Sequence, residues 1–131
     1  MNDYIYINNQ KDAEYFIEQC NGLHDGLILS FSFQHNGISN GGYRIDYSKT
    51  KLTMQVLVTS HIDKIIVEMV FEGIFNWNIC SGMTDIYGSN FAFDRHGIIW
   101  TDAFSTDPKI YKENTYIQAH YIGWKIIGNA K

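Results

Sequence analysis

The sequence is poor in proline and cysteine, and it contains no long apolar run. A single proline among 131 residues excludes a collagen-like chain and a proline-rich linker. Two cysteines, Cys20 and Cys80, lie far apart and exclude a zinc knuckle. The apolar runs are too short to span a membrane, and the N-terminus lacks the pattern of a signal peptide. We therefore expect a cytoplasmic protein.

Positive charge is also scarce. Fourteen acidic residues against ten basic ones give a formal net charge of −4, and only Arg44 and Arg95 offer the guanidinium fork that grips phosphate. An acidic chain repels polyanions at long range, so we expect neither nucleic acid nor an anionic membrane as partner. The same charge attracts a basic protein partner.

Leucine and alanine, which favour helices, are together outnumbered by isoleucine, and aromatic residues make up 15% of the chain. β-Branched and aromatic residues favour strands. A hydrophobic fraction of 45% with 18% charged residues supports a packed core. Length, composition and the absence of a linker indicate one globular domain over residues 1–131.

Residues 10–21 predict the only helix. Asn9 is suited to cap its start and Gly22 to close its end. Its apolar stripe has helical spacing and consists of Ala13, Phe16, Ile17 and Cys20. Such a stripe must cover another apolar surface, and a sheet is the obvious one.

After the helix the apolar period changes to two, as in strands. The first predicted strand places Leu27, Leu29, Phe31 and Phe33 on one buried face. Further strands are predicted at 52–58, 65–77, 91–93, 98–100 and 116–127, with loops at 36–42 and 101–114. Residues 79–90 fit no pattern, and Gly73 marks a bulge or bend.

These elements predict an α+β fold, with a single antiparallel sheet of about six strands and one N-terminal helix packed on it. The last strand is apolar on both alternating sets, which suits a strand covered on both faces or set centrally in the sheet.

The common catalytic signatures are absent, including phosphate-binding loops, nucleophile elbows and the zinc-protease motif. His24 beside Asp25 is the one pair that suggests a general base. Neighbouring residues on a strand point to opposite faces, so we expect these two not to orient each other. A small enzyme or small-molecule binder using His24 and Asp25 is therefore an alternative, and a non-catalytic protein is favoured.

Two short spacings resemble metal-ligand pairs, His61-x-Asp63 and Asp94-x-His96. Both fall at predicted turns, where aspartate is common for conformational reasons. A metal site needs three or four convergent ligands, so we expect neither a metal nor another cofactor.

Glu68 and Glu72 share the polar side of one predicted strand. Their separation of roughly 13 Å is too wide for the carboxylate pair of a glycosidase. Aromatic residues belong more often to the core than to a contact surface. Where they are exposed beside acidic residues, they suit a protein interface. The candidate binding residues from the whole sequence are His24, Asp25, Glu68, Glu72, Asp94, His96 and Trp100.

Two short segments carry a resemblance to known proteins. The segment Leu23–Ile28 resembles the "hydrophobic-His-Asp-small-x-Ile" opening of several small bacterial families, and Val70–Ile74 resembles their "Phe-x-Gly-hydrophobic" strand. Some of these families are assigned as immunity proteins of polymorphic toxin systems. The resemblance implies a cytosolic protein that binds a partner and neutralises it.

Charge, size and this resemblance together favour a non-catalytic protein-binding domain, an immunity protein against a basic toxin being its specific form. A different alternative is an oligomeric structural protein, for instance a homodimer, in which two exposed sheet edges pair across a two-fold axis.

Overall fold

The computed structural model describes residues 3–39 and 44–129. Two α-helices lie in this part of the chain, α1 at Gln10–Cys20 and α2 at Pro108–Tyr111. The strands there are β1 (Ile5–Tyr6), β2 (Gly26–His35), β3 (Ile38–Ser39), β4 (Arg44–Ile45), β5 (Thr50–Val58), β6 (Ile65–Asn78), β7 (Asp85–Ile86), β8 (Asn90–Asp94), β9 (Gly97–Thr101) and β10 (Tyr116–Asn129).

The fold is α+β, as predicted. Eight strands form one antiparallel sheet curled into a half-barrel, in the order β7-β2-β5-β6-β10-β9-β8, with β1 paired to β10. Within residues 3–39 and 44–129, strands β3 and β4 pair only with each other. The sheet has more strands than expected because β1 and β7 are two residues long, too short to show an alternating pattern.

Helix α1 begins and ends close to its predicted bounds. The side-chain oxygen of Asn9 accepts a hydrogen bond of 2.9 Å from the backbone N–H of Asp12, so the predicted cap is present. The helix ends where Asn21 and Gly22 adopt left-handed conformations, with φ of 52° and 60°. Cys20 is fully buried.

Helix α1 packs on the inner face of the sheet, where the main core lies. Phe16 meets the rings of Phe91 and Trp124 edge-on, at centroid distances of 5.6 and 5.5 Å. The sheet contributes alternate buried residues to this inner face, among them Leu52, Met54, Val56, Val67, Met69, Phe71, Ile117 and Ile122.

The helix is much shorter than the strands it covers. Eleven residues of α-helix rise about 16 Å, whereas the fourteen residues of β6 rise roughly 45 Å. Helix α1 therefore covers only part of the inner face, and the end of the half-barrel at Trp77 stays open.

The prediction for β2 was wrong about burial. Leu27, Leu29, Phe31 and Phe33 are 45, 51, 37 and 44% exposed. The register against β5 shifts between Ile28 and Ser30, so these four residues do not share one face. Strand β2 also lies near the sheet's edge, because β7 pairs with it only at Gly26 and Leu27.

The predicted irregularity at Gly73 is confirmed. Gly73 has φ of +68°, and the register between β6 and β10 shifts between Gln118 and Ala119. A Cβ at Gly73 would lie 2.7 Å from Cδ2 of His120. Only glycine fits a strand that bends here beside this ring.

Two loop predictions need correction, and the segment that fitted no pattern contains a strand. The segment 101–114 contains α2. Asp107 caps the start of this helix, because its Oδ1 accepts a hydrogen bond of 3.0 Å from the N–H of Lys109. The segment 79–90 contains β7. The segment 36–42 contains β3, and its last residues, 40–42, lie outside the described part.

Strand β10 is central, as predicted, with β6 along one side and β9 and β1 along the other. Neither described helix is long and apolar enough to cross a membrane.

Candidate functional site

The outer face of the sheet carries two carboxylates, one bound by Tyr4, just before β1, and the other by Tyr6 of β1. The Tyr4 hydroxyl donates to Oε2 of Glu68, and the Tyr6 hydroxyl donates to Oε1 of Glu72 at 2.7 Å. The two tyrosines reach across β10 at Gly123, where a Cβ would lie 3.1–3.2 Å from them. Glycine at this position thus lets β1 place both hydroxyls on β6.

The Tyr4–Glu68 unit also holds a cation. The Nζ of Lys125 lies 3.7 Å from Oε2 of Glu68, 3.1 Å from Oδ1 of Asp3 and 4.5 Å from the centroid of the Tyr4 ring. Gln55 donates a hydrogen bond of 2.9 Å to the other oxygen of Glu68. This glutamate is therefore fully engaged within the protein.

These contacts shift the ionisation of Glu68. Burial alone raises the pKa of its carboxyl, but the hydrogen bonds from Tyr4 and Gln55 and the charge of Lys125 outweigh it, so the pKa is lowered. The same carboxylate, together with burial, raises the pKa of the Tyr4 hydroxyl.

The Tyr6–Glu72 unit borders an open cavity of about 420 Å³, lined by Tyr6, Asn8, Glu72 and Tyr121. The rings of Tyr6 and Tyr121 meet edge-on, 6.5 Å apart, and Tyr121 is 59% exposed. Lys51 faces Glu72 in register across β5 and β6. Among the residues that the structure describes, however, Glu72 forms no ion pair.

The two units share a tyrosine and a carboxylate, and the first also contains Lys125, Asp3 and Gln55. Each combines a tyrosine ring from residues 4–6 with a carboxylate of β6, a combination that attracts ammonium and guanidinium groups through charge and through the ring face. Lys125 fills the first unit, whereas in the second Tyr121 pairs with Glu72 as Lys125 pairs with Glu68, and a solvent-open cavity borders the carboxylate. We call this second unit the Glu72 pocket.

The other predicted pair, His24 and Asp25, lies in the turn before β2. The expectation that these side chains point apart was wrong, because the strand begins only at Gly26 and Asp25 adopts φ of +55°. The Nε2 of His24 lies 3.4 Å from Oδ2 of Asp25, and its Nδ1 lies 2.7 Å from the carbonyl oxygen of Tyr87. Both side chains are at least half exposed. They line neither the Glu72 pocket nor a second cavity, which lies at the open end of the inner face.

Asp94 and His96 form a turn. The Oδ1 of Asp94 accepts hydrogen bonds from the backbone N–H groups of His96, at 2.7 Å, and Gly97, at 3.1 Å. Across residues 3–39 and 44–129, no three histidine, cysteine or acidic side chains are grouped so that they could hold a metal ion.

Trp100 belongs to the core. Its side chain is fully buried and donates a hydrogen bond of 2.9 Å from Nε1 to Oγ of Ser89. Of the seven candidate residues, only Glu68 and Glu72 share one strand face, and Trp100 cannot contact a partner from its buried position.

The tyrosines of the outer face were missed by the sequence analysis. Tyr4 and Tyr6 alternate with Ile5 and Ile7, a period of two that indicates a strand, but the segment is too short for the pattern to stand out. A second cavity, of about 260 Å³ at the open end of the inner face, was also missed.

No protein family, curated protein or solved structure matches the chain.

Proposed function

We propose that the protein is a binding domain for a basic protein and that the Glu72 pocket receives a lysine or arginine side chain of that partner. The observation that carries the proposal is the repeated Tyr–Glu unit, filled by Lys125 at Glu68 and without an ion pair at Glu72. A partner's cation in the second unit would reproduce contacts that the protein already makes internally.

The net charge of the molecule also favours a basic partner. The formal net charge is −4, so a basic partner is attracted before contact. Tyr121 and Tyr6 supply aromatic area beside the carboxylate, and tyrosine is enriched where protein interfaces concentrate their binding energy. The specific form we propose is the one that the resemblance implies, an immunity protein that covers a basic toxin.

Co-expression with the products of the flanking genes tests this proposal. We expect one basic product to co-purify with the protein and to lose toxicity in its presence. The Glu72→Lys variant should abolish both effects, because it places a positive charge where the partner's cation binds. Glu14→Lys, on the exposed side of α1, makes the same change in net charge and should leave both intact.

Two results would contradict the proposal. One is that no flanking product co-purifies or is neutralised. The other is that Glu72→Lys and Glu14→Lys weaken binding equally. In that case the net charge alone would explain the loss of binding, and the Glu72 pocket would have no specific role.

Self-association through β2 is a second candidate function, and the edge of the sheet supports it. The N–H of Asn36 donates to the carbonyl of Lys49, so by antiparallel alternation the backbone groups of Phe31 and Phe33 face away from β5. No described strand pairs with this part of the edge, and residues 27–34 carry no charge or proline that would block pairing.

Sedimentation at increasing protein concentration distinguishes the two candidates. If β2 pairs with a second copy, the mass should double with concentration, and Phe31→Lys should keep the protein monomeric. Ile62→Lys, in a turn where the side chain is 93% exposed, is the matched control and should still dimerise. A protein that is monomeric at every concentration has no such dimer.

A further inference from the structure

The inner face has a cavity of about 260 Å³ at the end of the half-barrel that α1 does not cover. Its walls come from β2, from the start of β5 and from the last part of β6. The lining residues are Phe33, His35, Thr50, Ile74, Phe75 and Trp77.

Three aromatic rings form the walls of this cavity. Phe33 and Trp77 are stacked, with centroids 4.9 Å apart and an interplanar angle of 20°. Phe75 is held against the ring of His120, with centroids 5.1 Å apart. Each of the three wall residues is 41–44% exposed. Exposed aromatic area gathered around a concave site is costly in water and is typical of a surface that a ligand covers.

Hydrogen bonds to the backbone fix the cavity's floor. The Thr50 hydroxyl accepts a hydrogen bond of 2.7 Å from the N–H of Ile74 and donates one of 3.3 Å to its carbonyl oxygen. The Nδ1 of His35 accepts a hydrogen bond of 3.2 Å from the N–H of Gly37. Among the residues that the structure describes, neither a carboxylate nor a lysine or arginine lines the cavity. A charged ligand would lose its hydration here without gaining a counter-charge.

We propose that this cavity binds a small, uncharged aromatic molecule of one or two rings. An apolar cavity of about 150 Å³ is large enough to bind benzene, so the larger volume here admits a two-ring molecule such as indole. The mouth of a curled sheet is a common place for such sites. The inference depends on inner-face residues alone, so it can be correct or wrong independently of the proposal for the Glu72 pocket.

Titration of the ¹⁵N-labelled full chain with indole tests the proposal. The chain has three tryptophans and so three side-chain indole N–H signals. We expect the Trp77 signal, assigned with the Trp77→Phe variant, to shift to saturation at one site per chain. The signals of Trp100 and Trp124, which are 0% and 3% exposed, should move little.

Matched variants localise the effect. Phe33→Ala removes one wall and should weaken indole binding roughly five- to tenfold, the value of one aromatic contact. Phe104→Ala removes a ring that is 74% exposed and lies outside the cavity, and should leave binding unchanged. The anion indole-3-acetate should bind more weakly than indole to the unaltered protein.

The proposal is overturned if the Trp77 signal does not saturate up to the solubility limit of indole. It is also overturned if Phe104→Ala weakens binding as much as Phe33→Ala does, or if the anion binds more tightly than indole. If Phe33→Ala fails to fold, the comparison of neutral and anionic probes on the unaltered protein still decides between these outcomes.

Discussion

Glu68 and Glu72 show how neighbouring groups set the role of a residue. Both lie on the outer face of β6, and each accepts a hydrogen bond from a tyrosine, Tyr4 or Tyr6, in or next to β1. Glu68 also has Gln55 and Lys125, and its side chain is only 14% exposed. Its contacts therefore stabilise the fold, whereas the charge of Glu72 faces an open cavity.

The lowered pKa of Glu68 predicts a loss of stability in acid. A carboxyl whose pKa is lower in the folded state stabilises the fold fully above its unfolded value, about 4.3 for glutamate. That contribution is lost as the pH falls from there through the folded pKa. Between about pH 6 and about pH 3, the free energy of unfolding measured with urea should therefore fall more steeply for the unaltered protein than for Glu68→Gln.

The control for this prediction is Glu14→Gln, a change at an exposed position of α1. Its pH profile should run parallel to that of the unaltered protein. If Glu68→Gln also runs parallel, the hydrogen bonds to Glu68 do not contribute the expected stability.

The two cysteines should differ sharply in reactivity. Cys20 is fully buried under α1, and burial raises the pKa of its thiol to about 12, so almost no reactive thiolate forms at neutral pH. Cys80 is partly exposed. We expect iodoacetamide to label Cys80 in the native protein and Cys20 only after unfolding, as measured by mass spectrometry.

The Cys80→Ser variant provides the control for this labelling, since it should take up no label while folded. Labelling of Cys20 at the rate of Cys80 would mean that α1 detaches from the sheet on the labelling timescale.

Strand β6 depends on Gly73 for its bend. A non-glycine residue at positive φ costs about 1–3 kcal/mol, and at Gly73 a Cβ would also meet His120. Gly73→Ala should therefore reduce the free energy of unfolding by more than Gly82→Ala. Gly82 has φ of +74° but open space around its Cβ position, so the difference between the two variants measures the clash.

Urea denaturation of both variants gives this difference. Equal losses would show that β10 and the His120 ring move aside without cost, and that the bend in β6 does not depend on close packing.

Helices and strands were predicted correctly where the residues that determine them lie close together in the sequence. Helix α1 was predictable because its cap and its apolar stripe are local, and β6 because its alternation is long. The burial of β2 was not predictable from its own alternation. Its exposure follows from its place near the sheet's edge and from the shift at Ile28, which are set by β5 and β7.

The candidate site was predictable only in part, for the same reason. The shared face of Glu68 and Glu72 follows from their spacing in one strand. Their tyrosine partners lie in β1 and just before it, more than sixty residues away in sequence, and are placed by pairing that no local pattern records. The inner cavity depends on the curl of the sheet and on the short length of α1.

At the scale of the whole molecule, the sheet joins distant parts of the chain. Ile5 pairs with Trp124, so the first and last strands of the sheet are neighbours. Closing such long loops before their contacts form slows folding, and sheet-rich domains of this kind fold in milliseconds to seconds. Stopped-flow refolding followed by tryptophan fluorescence should give a time course in that range.

Fluorescence from the buried Trp100 and Trp124 reports on the core in this experiment. A Trp77→Phe variant, which removes the exposed tryptophan, should therefore refold with the same time course. Refolding that is complete within the mixing time would contradict the expected dominance of long-range pairing.

Gly73 lies between the two proposed binding sites, with Glu72 and Ile74 on either side of it along the backbone. Glu72 points outward into one and Ile74 inward into the other. A cation bound outside and a ring bound inside would therefore act on the same short stretch of main chain. Thermodynamic linkage then requires reciprocity: by whatever factor the inner ligand alters the protein's affinity for its outer partner, that partner alters the affinity for the inner ligand.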